Sequence, residues 1–160
     1  MKKAALSTLI ALVLMGTVGS AFAADNDSHT VTVTVSAINE LAIAGGNVSL
    51  TINAATPGSE PDAATDTSTS LAWTTNEAAR KITVASDLAA PTFTLKAQAT
   101  SVSGSGSAAA QLTVTNVAQD FVTAIATEVG GCTLSYEASA TAAQGTGSDA
   151  HTITYTLTSS

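Results

Sequence analysis

The feature that most constrains this chain is a run of strictly alternating residues near its N-terminus, over residues 29–37. Val31, Val33 and Val35 fall on one side of an extended backbone, and threonine or serine residues fall on the other. β-Branched residues with a period of two are typical of a strand with one apolar face. Residues 151–158 repeat the pattern with larger apolar residues. The two runs predict an antiparallel all-β protein in which both ends of the chain form strands.

The first 23 residues have the pattern of a secretory signal peptide. Two lysines precede an apolar stretch, and Ala-Phe-Ala at 21–23 supplies the small residues of a cleavage site. The apolar stretch is short for a membrane span. We therefore expect export to the periplasm, the cell surface or the extracellular space, with no stable membrane insertion after cleavage. The mature chain, residues 24–160, is long enough for one domain.

Without the signal peptide the chain is strongly acidic. Three basic residues (Arg80, Lys81 and Lys96) stand against twelve acidic ones, a net charge of −9. An acidic surface repels nucleic acid and anionic lipid, so we expect neither as a partner. The high and regularly spaced apolar content argues against disorder and favours a packed β-domain.

Between the two terminal runs, alternating segments separated by turn residues predict further strands, including one over 48–52. The total is about eight to ten short strands, as in a β-sandwich. Residues 117–125 differ, because their apolar residues recur at three- and four-residue spacing. That spacing predicts one short helical turn near 117–125.

No motif for catalysis or for a cofactor stands out, so we predict no enzyme, no cofactor and no metal site. The sequence contains no G-x-S-x-G nucleophile elbow whose serine either of the two histidines could activate. Cys132 is the only cysteine and cannot form an intramolecular disulfide, so we expect a buried thiol. The carboxylates of the 60–66 loop lack the order of a calcium-binding loop and are interpreted as solvated, with calcium binding left open.

Trp73 is the only tryptophan and has two interpretations. It is either the core anchor of a sandwich or an exposed platform for a sugar ring. The second interpretation needs Trp73 exposed on one face together with Tyr136 or Tyr155. It would make the protein an adhesive or carbohydrate-binding module with glycans as partners.

The layout resembles that of bacterial fimbrial or spore-coat-U-type pilin subunits. The resemblance rests on the signal peptide, the Ala/Thr/Ser/Gly-rich β-domain, the run at 30–37 and the tyrosine-containing run at 151–158. It implies an immunoglobulin-like sandwich assembled by donor-strand exchange, in which a terminal strand of one subunit completes the sheet of the next. Those families usually carry a disulfide, which this chain cannot form. We expect an exported, non-enzymatic structural protein that associates with itself or with other surface proteins.

Val31, Val33 and Val35 are the candidate strand-exchange residues. Neither proline nor lysine protects the edge of their run, which invites pairing with another chain. The alternative is that residues 29–37 pair within the sheet of their own domain, which would leave no spare strand to donate.

Overall fold

A computed structural model describes residues 26–160, so the predicted signal peptide lies outside the described residues. The chain divides into a first unit that ends at Thr34 and a second unit, Val35–Ser160, that contains both sheets. Within residues 26–160, no helix has the length and apolarity needed to cross a membrane.

The described chain contains nine strands and one short 3-10 turn. In chain order the strands are β1 (Asn39–Ala44), β2 (Ala64–Thr75), β3 (Arg80–Ser86), β4 (Thr94–Ser103), β5 (Ser107–Ala108), β6 (Leu112–Thr113), β7 (Gln119–Ile125), β8 (Glu128–Ser139) and β9 (Ile153–Ser159), with the 3-10 turn over Ala142–Gln144 between β8 and β9.

The strands form two antiparallel sheets, which confirms the all-β sandwich. One sheet has the order β1-β2-β8-β4-β6, and the other has the order β5-β7-β3-β9. Side chains from both sheets meet in one buried cluster. The largest fully buried members are Trp73, Phe121, Leu71, Ile82, Ile125, Leu134, Val84, Val114 and Val122.

Alternation explains why β2 packs as it does. Thr69, Leu71, Trp73 and Thr75 are buried, while Ser70 and Ala72 between them are exposed. A strand with this period places one face in the core and the other in water. The regular strands were therefore predictable from their residue pattern.

The prediction of a helical turn near 117–125 is wrong, because this region forms strand β7. Phe121, Val122 and Ile125 are all buried, although two of them are adjacent in sequence. The pairing of β7 with β3 shifts register at Ile82, and Ala124 has a positive φ of 58°. Such bulges rotate successive side chains onto the same face, and the result imitates helical spacing.

Two predicted strands, over 29–37 and over 48–52, belong to neither sheet. Alternation marks an extended chain with one apolar face, but it does not say whether a partner strand is present in the same molecule. Both segments bear on function and are described next.

Candidate assembly site

The N-terminal segment, residues 29–37, presents its apolar face to solvent. Val31, Val33 and Val35 are 71%, 82% and 73% exposed. None of residues 29–37 takes part in a strand. Three valines in alternation on one exposed face form an apolar stripe of the kind that marks an interaction surface.

The second unit carries an open groove of about 1560 Å³. Its walls are the 46–55 segment, the start of β4, the end of β8 and the chain that leads into β9. The apolar side chains that line it are Ile43, Val48, Leu50, Ile52, Phe93, Leu95, Tyr136 and Ile153. The groove thus exposes part of the sandwich interior.

The 48–52 segment forms one wall of this groove without joining a sheet. Val48, Leu50 and Ile52 are half-buried, and Ser49 and Thr51 are exposed. Within the described chain, the peptide groups of residues 48–52 form no backbone hydrogen bond. Unpaired peptide groups beside apolar surface are costly unless water or another strand satisfies them.

A glycine turn explains why this segment leaves the sheet after β1. Gly45 has a φ of 110°, and a Cβ atom there would lie 2.8 Å from the backbone oxygen of Ser68. Only glycine tolerates both the backbone angle and the close approach. The chain consequently departs from β2 at Gly45 and runs along the groove.

The chain that leads into β9 forms another wall of the groove, which ends at Ile153, the first residue of β9. β9 is the last strand of its sheet. It pairs with β3 from Arg80↔Ser159 to Ser86↔Ile153, and its other side pairs with no strand of the described chain. β9 contains neither proline nor lysine, the residues that commonly block edge pairing. One edge of β9 is therefore available for a further strand.

Polar contacts fix the chain that leads into β9. The amide of Thr152 donates to Asp87 (2.7 Å), and the amide of Phe93 donates to Asp149 (2.8 Å). These hydrogen bonds hold the pKa of each carboxyl group below its usual value. The two hydrogen bonds fix the position of the backbone at this end of the groove.

Ser86 and His151 come together in the same region, which sequence analysis did not predict. Ser86 Oγ lies 2.9 Å from His151 Nδ1 and also accepts a hydrogen bond from the Leu88 amide. A serine nucleophile needs a base and access to substrate. Ser86 is 5% exposed, so the pair serves to connect the β3–β4 turn to the entry of β9 rather than to present a hydroxyl group.

Tyr136 lines the groove and pairs with Tyr155 of β9. The hydroxyl groups of Tyr136 and Tyr155 are 2.9 Å apart, and the Tyr155 ring packs against Phe121 at 5.1 Å. Burial raises the pKa of both phenols. Each buried hydroxyl group therefore satisfies the other.

Trp73 lies in the core with 2% exposure, and Tyr136 and Tyr155 are each 8% exposed. The Trp73 Nε1 group donates to Glu128 (3.3 Å), which also accepts from the Ser105 amide (2.6 Å). A sugar ring has no access to aromatic faces buried in this way. The three aromatics considered for sugar stacking are therefore core residues.

Two carboxylates of the 60–66 loop, for which calcium binding was left open, accept hydrogen bonds from the protein. Glu60 accepts a hydrogen bond from the Ala142 amide, and Asp66 accepts from Ser68. Among residues 26–160, no three acidic, histidine or cysteine side chains are grouped closely enough to hold a metal ion. Cys132 is buried, and burial raises the pKa of its thiol to about 11.

Comparison with known proteins identified no relationship: no family model, no curated protein and no solved structure matches this chain.

Proposed function

We propose that this protein is an exported, non-enzymatic structural subunit that assembles with further copies of itself by strand addition. The N-terminal segment of one copy would enter the groove of the next. The observation that carries the proposal is a pair of complementary features on one chain. One is an extended segment with three exposed valines, and the other is a groove lined in part by large apolar side chains, at the end of the sandwich where the unpaired edge of β9 begins.

Energetic considerations favour insertion between two walls over addition to a single edge. Burial of three valine side chains contributes roughly 1.5–2 kcal/mol each. Ordering the backbone costs about 1–2 kcal/mol per residue, so burial alone does not hold a segment of this length. A strand between β9 and the 48–52 segment gains backbone hydrogen bonds on both sides. It also supplies partners for peptide groups that the single chain leaves unpaired.

The valine stripe provides the test. The triple variant Val31→Ser, Val33→Ser, Val35→Ser removes the apolar face of the segment and keeps its length and charge. The matched control is Thr30→Ser, Thr32→Ser, Thr34→Ser, which changes the opposite face. Light scattering of residues 24–160 should give large multimers for the unmodified protein and the control, and monomers for the valine variant. Equal multimers from all three proteins would contradict the proposal.

Export is a separate part of the proposal and rests on the signal-peptide pattern of the first 23 residues. N-terminal sequencing of protein from a bacterial periplasmic fraction should find a chain that begins at Ala24. Recovery of the uncleaved chain from the cytoplasm would contradict export and would leave the assembly test unaffected.

A further inference from the structure

Asn76 contacts the base of the N-terminal segment, where the segment leads into β1. Asn76, in the turn between β2 and β3, accepts a hydrogen bond from the Ile38 amide through Oδ1 and donates one to the Ser36 carbonyl through Nδ2, each at 2.7 Å. Its own amide donates to the Ile38 carbonyl at 3.2 Å. We call this arrangement the Asn76 clasp. Its side-chain amide acts as an additional peptide group, which continues hydrogen bonding beyond the end of the β1–β2 ladder as far as Ser36.

Neighbouring residues hold the clasp in place. Thr75 is buried, and its hydroxyl group donates to Asn39 Oδ1 (2.7 Å). Glu77 accepts a hydrogen bond from Asn39 and forms an ion pair with Arg80. These contacts keep the pKa of the Glu77 carboxyl group below its usual value. The turn that carries Asn76 is therefore preorganised.

Strand register places the clasp and the groove at opposite ends of the sandwich. At one end, Asn39 pairs with Thr75, and the turn from Thr75 leads to Arg80, which pairs with Ser159. At the other end, Ala64 pairs with Ala138, Thr94 with Ser139 and Ser86 with Ile153. The groove is lined by residues of this second end. β1, with six residues, spans about 20 Å between the two.

Length alone does not prevent a segment from entering the groove of its own molecule. Nine extended residues reach about 30 Å, which covers the length of β1 even after a short reversal. For all three valines to enter the groove of their own molecule, the reversal has to lie after Val35, at residues 36–38. The clasp holds the backbone of these residues in line with β1, so folding back requires its hydrogen bonds to break.

We infer that Asn76 is a positioning residue that makes strand addition intermolecular, because it holds the base of the N-terminal segment at the end opposite the groove. This inference rests on the proposed function. It predicts that loss of the clasp diverts the segment into its own groove, which produces closed monomers in place of multimers.

Thiol cross-linking separates the two arrangements. The starting protein carries Val33→Cys in the segment, Ser49→Cys in the groove wall and Cys132→Ala, and it is treated with a short bifunctional thiol reagent. Cross-links between molecules give a ladder on a denaturing gel, and cross-links within one molecule give a monomer of increased mobility. Asn76→Asp, added to this protein, removes the donor to Ser36 and places a carboxylate oxygen against that carbonyl. Asn116→Asp makes the same change at an exposed site.

We expect a ladder from the starting protein and from Asn116→Asp. In Asn76→Asp the share of internally linked monomer should rise about tenfold, which corresponds to the loss of one to two hydrogen bonds. Trp73 emission should stay unchanged, since the core is intact. If Asn76→Asp does not fold, Asn76→Ser replaces it, because serine is too short to span both partners.

The other outcomes overturn the inference in distinguishable ways. An unchanged ladder in the Asn76 variant shows that the clasp does not determine whether the segment enters its own groove or that of another molecule. Loss of the ladder without internal links shows that Asn76 does not act against self-insertion. Absence of any link in the starting protein overturns the proposed function itself and, with it, this inference.

Discussion

At the scale of single residues, the core depends on close pairs that bring together distant parts of the chain. Trp73 lies against Gly130, and a Cβ atom at residue 130 would be 2.5 Å from the indole ring. Tyr136 and Tyr155 satisfy each other's hydroxyl groups, and Cys132 is buried nearby. The residue types alone indicate core candidates. Which of them contact each other could not be predicted from the sequence, because these contacts depend on strand order.

Gly130→Ala should destabilise the protein, because the added methyl group overlaps the indole ring of Trp73. We expect a loss of about 1–3 kcal/mol in the free energy of unfolding, the usual range for overpacking. Urea denaturation followed by Trp73 fluorescence measures it for wild type and variant. To test whether the ring is responsible, Gly130→Ala is also made in a Trp73→Phe background. The two Trp73→Phe proteins, with and without Gly130→Ala, are denatured in urea, and their unfolding is followed by circular dichroism. The substitution should cost less in that background, and an equal cost would show that the ring is not the obstacle.

Alkaline pH should destabilise the protein through its buried acids. The pKa of Cys132 is raised from 9.0 to about 11 in the folded state, so stability is complete below pH 9 and falls as pH rises towards 11. Burial raises the pKa of Tyr136 and Tyr155 too, which extends the loss above pH 10.

Thermal denaturation between pH 7 and 11 measures this loss. Cys132→Ala should abolish the loss between pH 9 and 10, to which the thiol alone contributes, and should reduce the loss between pH 10 and 11, to which the tyrosines also contribute. An unchanged profile in that variant would show that the thiol is not responsible.

At the scale of elements, the alternating run over 151–158 predicted β9, and β2, β3 and β8 show the same alternation, because each of these strands has one face in the core of its own molecule. The same alternation over 29–37 and 48–52 marks extended segments that belong to neither sheet. The bulge in β7 placed adjacent residues on one face and produced the false helical spacing. Sequence pattern thus shows which face is apolar, whereas partner choice, bulges and the Asn76 clasp depend on contacts between residues far apart in the chain.

Hydrogen exchange should report on the 48–52 segment directly. In the non-assembling valine variant its amides have no backbone partner and should exchange close to the rate of an open chain. In multimers of the unmodified protein the same amides should exchange at least about a hundredfold more slowly, because an inserted strand pairs with them. The amides of Ile82 and Val84, in the central strand β3, serve as the internal control and should be protected in both samples. Equal rates for 48–52 in both samples would place the inserted strand elsewhere.

At the scale of the whole molecule, charge would oppose the proposed assembly. Residues 24–160 carry a net charge of −9, and only three of these residues are basic. Two of these, Lys81 and Lys96, form ion pairs with Asp120 and Glu137, and Arg80 pairs with Glu77. The described basic groups are therefore neutralised within the molecule, and approaching copies repel each other.

Salt should accelerate assembly. The distance over which charges act falls from about 30 Å at 0.01 M salt to about 8 Å at 0.15 M. We expect the initial rate of multimer growth, followed by light scattering, to rise about tenfold over this range. The valine variant should not respond, since it lacks the apolar stripe. Slower growth in salt would mean that attraction between unlike charges guides the encounter.

The separation of clasp and groove also has a consequence for how a fibre of this protein would end. A linear array of such subunits is polar: one terminus displays an unfilled groove, and the other displays a free valine-bearing segment. Of the two termini, only the first offers a groove that a synthetic peptide of residues 26–38 could fill. The two tips would then differ in chemistry, so a cell could tether, extend or block one of them independently of the other.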